Sequence, residues 1–188
     1  MKPDVAKHIK ESMTVNQLIL DSLVPQIERA ADKMAACLKQ GNKLLFFGNG
    51  GSASDSQHLA AEFVGRYEKE RRALPAIALT TDTSILTAVS NDYGYERVFE
   101  RQLEALGQKG DVLVAISTSG NSKNVLKGIQ KAKAMGIYVI GFSGGDGGQL
   151  KTQADLPIVI PAKKTSRIQE SHIMIGHILC ECVDELLS

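Results

Sequence analysis

From residue 43 onward, five short apolar runs recur between stretches with helical spacing: KLLFF, AIAL, VLVAI, IYVIGF and LPIVI. Runs of this length bounded by glycine, proline and aspartate read as strands, and crossovers through helices force neighbouring strands to lie parallel. A parallel sheet is covered on both faces, which is why these runs carry so little polar alternation. The class is therefore α/β. The connecting segments fit it: TDTSILTAVSN opens with capping residues, YERVFERQLEALG closes at Gly107, and SKNVLKGIQKAKAMG closes at Gly136. Only a short linking segment precedes the last run, and SGGDGGQ, residues 143–149, is the nearest thing to a flexible stretch.

The two ends are helical. Val5, Ile9, Val15, Leu18 and Leu23 recur at roughly helical spacing, Pro25 suits a first turn and Gly41 suits a stop, so residues 1–41 read as two helices. Residues 166–187 read as one long helix striped by Ile168, Ile175, Leu179 and Leu186, widened by Ile173 and Val183. With 188 residues and 43% hydrophobic composition, the chain has material for one substantial core. We expect a single domain over 1–188, with the sheet and its flanking helices in 42–188.

Charge and cysteine content exclude several classes. Twenty-two Lys and Arg against 21 Asp and Glu leave no global field for nucleic acid or anionic lipid. Partners are expected to be small molecules or protein chains. Cys37, Cys180 and Cys182 form no CxxC pair and read as reduced thiols. No apolar stretch approaches ~18 residues and the first residues have no apolar export core. The expected location is cytoplasmic, with no membrane association.

Two glycine- and serine-rich loops follow strands: GNGGSAS, residues 48–54, and STSGNS, residues 117–122. Small residues let backbone N–H groups approach an anion, and the helix that follows adds its dipole. Ser52, Ser117, Thr118, Ser119 and Ser122 add hydroxyls, so the pair suits a phosphorylated ligand without a lysine. The plainer reading is that any strand-to-helix turn favours such residues. A competing motif is the dinucleotide fingerprint formed by Gly48, Gly50 and Ala53 with Asp82 as the ribose acid. Its acid lies nearly thirty residues past the loop instead of about twenty.

His58 and Glu62 are four apart on the helix after the first loop and share a face. Leu59, Ala60, Phe63 and Val64 leave Glu62 little polar surface, which favours a chemical role over a solvated one. The last helix carries Gln169, Glu170, His172 and His177; His172 reads as a surface or packing residue. Gln169 and His177 face broadly the same way but stand ~12 Å apart along the axis.

With GNGGSASDSQHLAAEFVGRY, LPAIALTTDTS, NDYGY, GDVLVAISTSGNS and SRIQESH in view, the chain resembles the sugar isomerase (SIS) domains, and among them the phosphoheptose isomerases, over nearly its whole length. The resemblance implies a flavodoxin-like three-layer sandwich around a five-stranded parallel sheet. It implies a homotetramer with N-terminal helices in the packing and sites shared between subunits. The implied activity is isomerisation of sedoheptulose 7-phosphate to D-glycero-D-manno-heptose 7-phosphate, which supplies lipopolysaccharide or another surface glycan. Asn49, Gly50, Gly51, Asn91, Asp92, Ser117, Thr118, Ser119, Ser122 and Gln169 would contact the sugar phosphate, with Glu62 and His177 as the catalytic pair. His58, Glu62, Gln169 and His177 match positions through which the family binds zinc, one ion per subunit; whether Glu62 is base or ligand stays open. The same class contains a tetramer that binds the replication initiator and has no isomerase role; it replaces the glutamate of AAEF and the second serine of STSGNS. Both Glu62 and Ser119 are kept here.

Overall fold

The computed structural model describes residues 3–188. The N-terminal pair is α1 (Val5–Ser22) and α2 (Val24–Lys39), with Asp4 capping α1 through Lys7 N and a proline in the first turn of α2. The alternating region then runs β1 (Leu44–Gly48), α3 (Gly51–Val64), β2 (Ala76–Ala78), α4 (Thr83–Tyr93), a 3-10 turn (Tyr95–Arg97) and α5 (Val98–Leu106). It continues through β3 (Val112–Ile116), α6 (Lys123–Ala134), β4 (Tyr138–Gly144), the single turn α7 (Leu150–Gln153), β5 (Leu156–Ile160) and α8 (Thr165–Leu187). All five expected strands form, every pair is parallel, and their order is β2-β1-β3-β4-β5.

Alternation within the strands divides the core. Leu44, Phe46, Val114, Ile116, Ile140, Phe142 and Ile158 face α1, α2, α3 and α8. Leu45, Phe47, Leu113, Ala115 and Val139 face α5, α6 and α7, where Phe47 stacks on Phe99 with ring centroids 4.5 Å apart. The N-terminal ends of β1 and β3 are clamped by Asp111, 1% exposed, which accepts from Lys43 N, Lys43 Nζ and Gln108 N. A carboxylate this deep is stable only when its lone pairs are occupied, and three donors occupy them.

Several expectations change. The 143–149 segment is tied down: Gly144 N bonds Thr118 O, Gln149 N bonds Asn121 Oδ1, and Leu150 N bonds Gly120 O, so it buttresses the 117–122 loop. Leu186 leaves the α8 stripe and is 40% exposed, while Ile168, Ile175, Leu179 and Val183 are buried. On α1 only Val15, of the apolar positions singled out there, is buried; Val5, Ile9, Met13 and Leu20 are each more than half exposed and lie within about 80° of azimuth on one face. His172 is a packing residue, 1% exposed, against Phe142 and bonded to Ser143 O at 3.1 Å. Cys37, Cys180 and Cys182 are unpaired thiols; burial pushes Cys37 up to about 11 and Cys180 up to about 12. No helix of the described residues is long and apolar enough to cross a membrane.

Candidate active site

After β1 the chain crosses to β2 on one side; after β3 it crosses to β4 on the other. Where crossovers diverge, the carboxyl ends of the strands leave a crevice, and Gly48 and Ile116 pair at its floor. Both glycine-serine loops rise from that pair. Asn49 and Gly50 lead into α3, whose first turn is Gly51 to Ser54; Ser117 to Ser122 leads into α6. Ser52 is 3% exposed and its carbonyl accepts from Ser56 Oγ at 2.7 Å. Ser117 Oγ donates to Ser122 Oγ at 3.0 Å. Thr118 and Ser119 open onto a cavity of about 300 Å³ that is also lined by Gly144, Gly145, Asp146, Lys163, Thr165 and Ile168. A lysine thus stands beside the hydroxyl loop after all, contributed by a stretch of chain with no sequence signal of its own.

Helix α3 carries the expected acid/base pair, His58 and Glu62. His58 Nε2 lies 3.3 Å from Glu62 Oε1, and the side chain of Glu62 is 23% exposed. The apolar collar expected around Glu62 forms only in part: Leu59, Ala60 and Phe63 are buried, but Val64 is 50% exposed. Helix α8 runs parallel to α3 and brings His177 across, with His177 Nε2 2.9 Å from His58 Nε2 and the Tyr67 ring 5.8 Å from the His177 ring. Close approach of the two helices depends on Gly176: a Cβ there would lie 2.6 Å from Leu59 Cδ2. At the helix start a Cβ on Gly51 would sit 2.7 Å from Gln169 Nε2, the end of a side chain free to swing aside, so this contact locates Gln169 without requiring the glycine. Gln169 therefore stands at the loop end of α3, seven residues before His58, about 10 Å by helical rise.

His58, Glu62 and His177 each offer a ligand atom, and these atoms lie within 4.8 Å of one another. Facing imidazole nitrogens 2.9 Å apart need something positive between them, a shared proton or a cation. A tetrahedral zinc with bonds of about 2.0–2.1 Å sets its donors roughly 3.3 Å apart, close to both spacings observed here. The donor set, two imidazoles and a carboxylate with a position left open, fits that ion.

Three residues were not singled out in the sequence. Asp55, one turn before His58, has a buried Oδ2 without a partner; burial raises its pKa, while His58 and His177 pull the other way. Tyr95, within the NDYGY stretch, places its hydroxyl 3.4 Å from Asn49 Oδ1, so the segment that holds Asn91 and Asp92 borders the crevice. Asn124 bonds Asn49 directly. Only Asp55 had a local signal, its i, i+3 spacing from His58. Asp82 caps α4, accepting from Ile85 N at 2.8 Å, which accounts for an acid at this position without a ribose.

The SIS domain family model matches residues 7–144. A phosphoheptose isomerase of Aquifex aeolicus (strain VF5) is 53% identical over 187 residues, covering 100% of this chain and 98% of that protein. Among solved structures, a phosphoheptose isomerase from Neisseria gonorrhoeae is 46% identical with a TM-score of 0.91, covering 96% of this chain and 97% of that one. One from Francisella tularensis is 37% identical with a TM-score of 0.93, covering 96% of each chain.

Proposed function

The chain belongs to the SIS domain family, among its phosphoheptose isomerases, and we propose on that premise that it interconverts sedoheptulose 7-phosphate and D-glycero-D-manno-heptose 7-phosphate. What supports the reading is a carboxylate–imidazole cluster on α3 and α8, with α3 starting from the glycine loop that leaves the sheet beside the hydroxyl-rich loop at the Gly48–Ile116 pair. A ketose becomes an aldose by moving one carbon-bound proton and one oxygen-bound proton, with nothing gained or lost. Glu62 takes the proton from carbon 1, giving an enediolate, and returns it to carbon 2. His177 moves the second proton from the oxygen on carbon 1 to that on carbon 2, since an imidazole can both accept and donate a proton through its ring nitrogens. Thr118 and Ser119, with Ser117 and Ser122 behind them, hold the phosphate; Asn49, Gly50, Gly51, Ser52, Asn91, Asp92 and Gln169 hold the sugar. Gripping the far end aligns the reacting carbons with Glu62.

Zinc is the metal we assign to His58, Glu62 and His177, with Gln169 the remaining member of the expected set, and when bound it would polarise the carbonyl as a Lewis acid. The assembly we infer is a homotetramer in the cytoplasm, packed in part through the exposed apolar face of α1 in the 1–41 region, with the heptose feeding a surface glycan. The decisive experiment is incubation with sedoheptulose 7-phosphate in heavy water, followed by NMR. An aldose phosphate with deuterium at carbon 2 is expected. No conversion, together with capture of the replication initiator, would favour the binding-protein alternative.

A further inference from the structure

Asn124 lies in the first turn of α6, is 4% exposed, and takes no part in the chemistry above. Its side chain meets Asn49 across the crevice in a reciprocal pair. Asn49 Nδ2 donates to Asn124 Oδ1 at 2.9 Å, and Asn124 Nδ2 donates to Asn49 Oδ1 at 2.8 Å. The two ends of a carboxamide are alike in shape, so such a pair alone is equally satisfied with both groups flipped. The backbone removes that freedom. Val125 N donates to Asn124 Oδ1 at 3.0 Å, and a backbone N–H can only donate. Asn124 must then turn its NH2 toward Asn49, and Asn49 must turn its Oδ1 toward Asn124. Tyr95 Oη adds a longer bond to the same oxygen at 3.4 Å. Of the two N–H groups on Asn49, the pair engages one, which leaves a donor of fixed direction at the rim of the crevice.

We propose that Asn124 is a positioning residue that locks the Asn49 carboxamide in one orientation, so that its second N–H meets an oxygen of the sugar phosphate. This also ties the loop after β1 to the helix after β3, making one rim of two loops. The inference rests on the sugar-phosphate reading above. Without Asn124 the Asn49 side chain rotates freely and must be ordered again each time a ligand binds.

The test is a double-mutant cycle. Asn124→Asp keeps the shape and the acceptor for Val125 N, but its carboxylate cannot donate to Asn49. KM for sedoheptulose 7-phosphate should rise about tenfold while kcat stays within about threefold. In an Asn49→Ala background the same change should move KM by less than about twofold, because the group it orients is gone. Asn124→Ala, which adds no charge, should follow the same pattern. Equal factors in both backgrounds would mean that position 124 acts through its own charge or through the stability of α6, and the proposal would fall. Side-chain amide NMR of the ligand-free protein needs no turnover: of the two Asn49 NH2 protons, the one bonded to Asn124 Oδ1 should exchange slowly with solvent and the rim-facing one fast, and Asn124→Ala should make both fast. If the wild type does not convert the heptose phosphate, the substrate reading fails, while protection of that one proton lost in the variant still upholds the positioning role. Two fast-exchanging Asn49 protons in the wild type overturn it.

Discussion

Glu62 bears the largest chemical demand in the proposed reaction, since it is the carboxylate of the cluster and is assigned the carbon-bound proton. Glu62→Gln keeps the shape and removes the basicity. Turnover should fall by about 10³-fold, within the usual range for a lost acid/base group, with the melting temperature nearly unchanged. Near-normal turnover would move the base elsewhere. His58→Ala separates the metal from the chemistry: zinc per chain, read by atomic absorption after dialysis, should drop from about one toward zero. Ion content unaffected by this change would remove His58 from the donor set. His172 supplies a pH signature. Burial lowers its pKa to about 4 from the ordinary imidazole value of 6.5, so the folded state refuses a proton that the unfolded chain accepts. Stability is full above pH 6.5, falls as the pH drops toward 4, and levels below that, a loss of roughly 3 kcal/mol. Urea unfolding at pH 7 and pH 5 measures the slope, and His172→Phe should flatten it. At this scale the spacing of His58 and Glu62 was legible because four residues on a helix always share a face. Tyr95, Asn124 and Lys163 were not, because their relevance comes from neighbours distant in the chain.

Helices α3 and α8 divide the labour of the site along their length. At the loop end Gln169 packs on Gly51, and further along His177 meets His58, with Gly176 against Leu59 between them. Gly176→Ala inserts a methyl 2.6 Å from Leu59 Cδ2, forcing the helices apart just where the imidazoles meet. Overpacking of this kind costs about 1–3 kcal/mol. The expected result is a lower melting temperature together with weaker zinc retention; a variant that keeps both would show that the contact between the helices has slack. The far end of α3 is held by Arg71, which donates to the carbonyls of Glu62, Phe63 and Gly65 and pairs with Asp184 of α8 at 2.6 Å. One guanidinium thus caps the helix that carries Glu62 and fastens it to the helix that carries His177. Each helix was legible from its own periodicity. Their parallel packing was not: it sets Gln169 at the start of α3 and His177 beside His58, so the axial gap along α8 between the two persists.

For the molecule as a whole, α1 presents Val5, Ile9, Met13 and Leu20 on one exposed face while its other side is tied to α8 through Glu11 with Lys164 and through the bond from Arg167 to the His8 carbonyl. An apolar stripe of this extent fits an interface between subunits. Ile9→Glu with Leu20→Glu should shift the sedimentation coefficient from tetramer toward smaller species without loss of helical signal; an unchanged coefficient would place the subunit contacts elsewhere. Residue order alone settled the five strands, the helices between them and the two glycine-serine turns, because side-chain periodicity and capping act over a few residues and follow from backbone geometry. Tertiary structure alone decided the strand order, and with it the crevice between the loops at Asn49 and Ser117. It also decided that His58 and His177, 119 positions apart, would stand 2.9 Å from one another. The physical reason is that contacts of that kind depend on which faces pack together, and packing is a property of the whole core, to which no short stretch of chain has access.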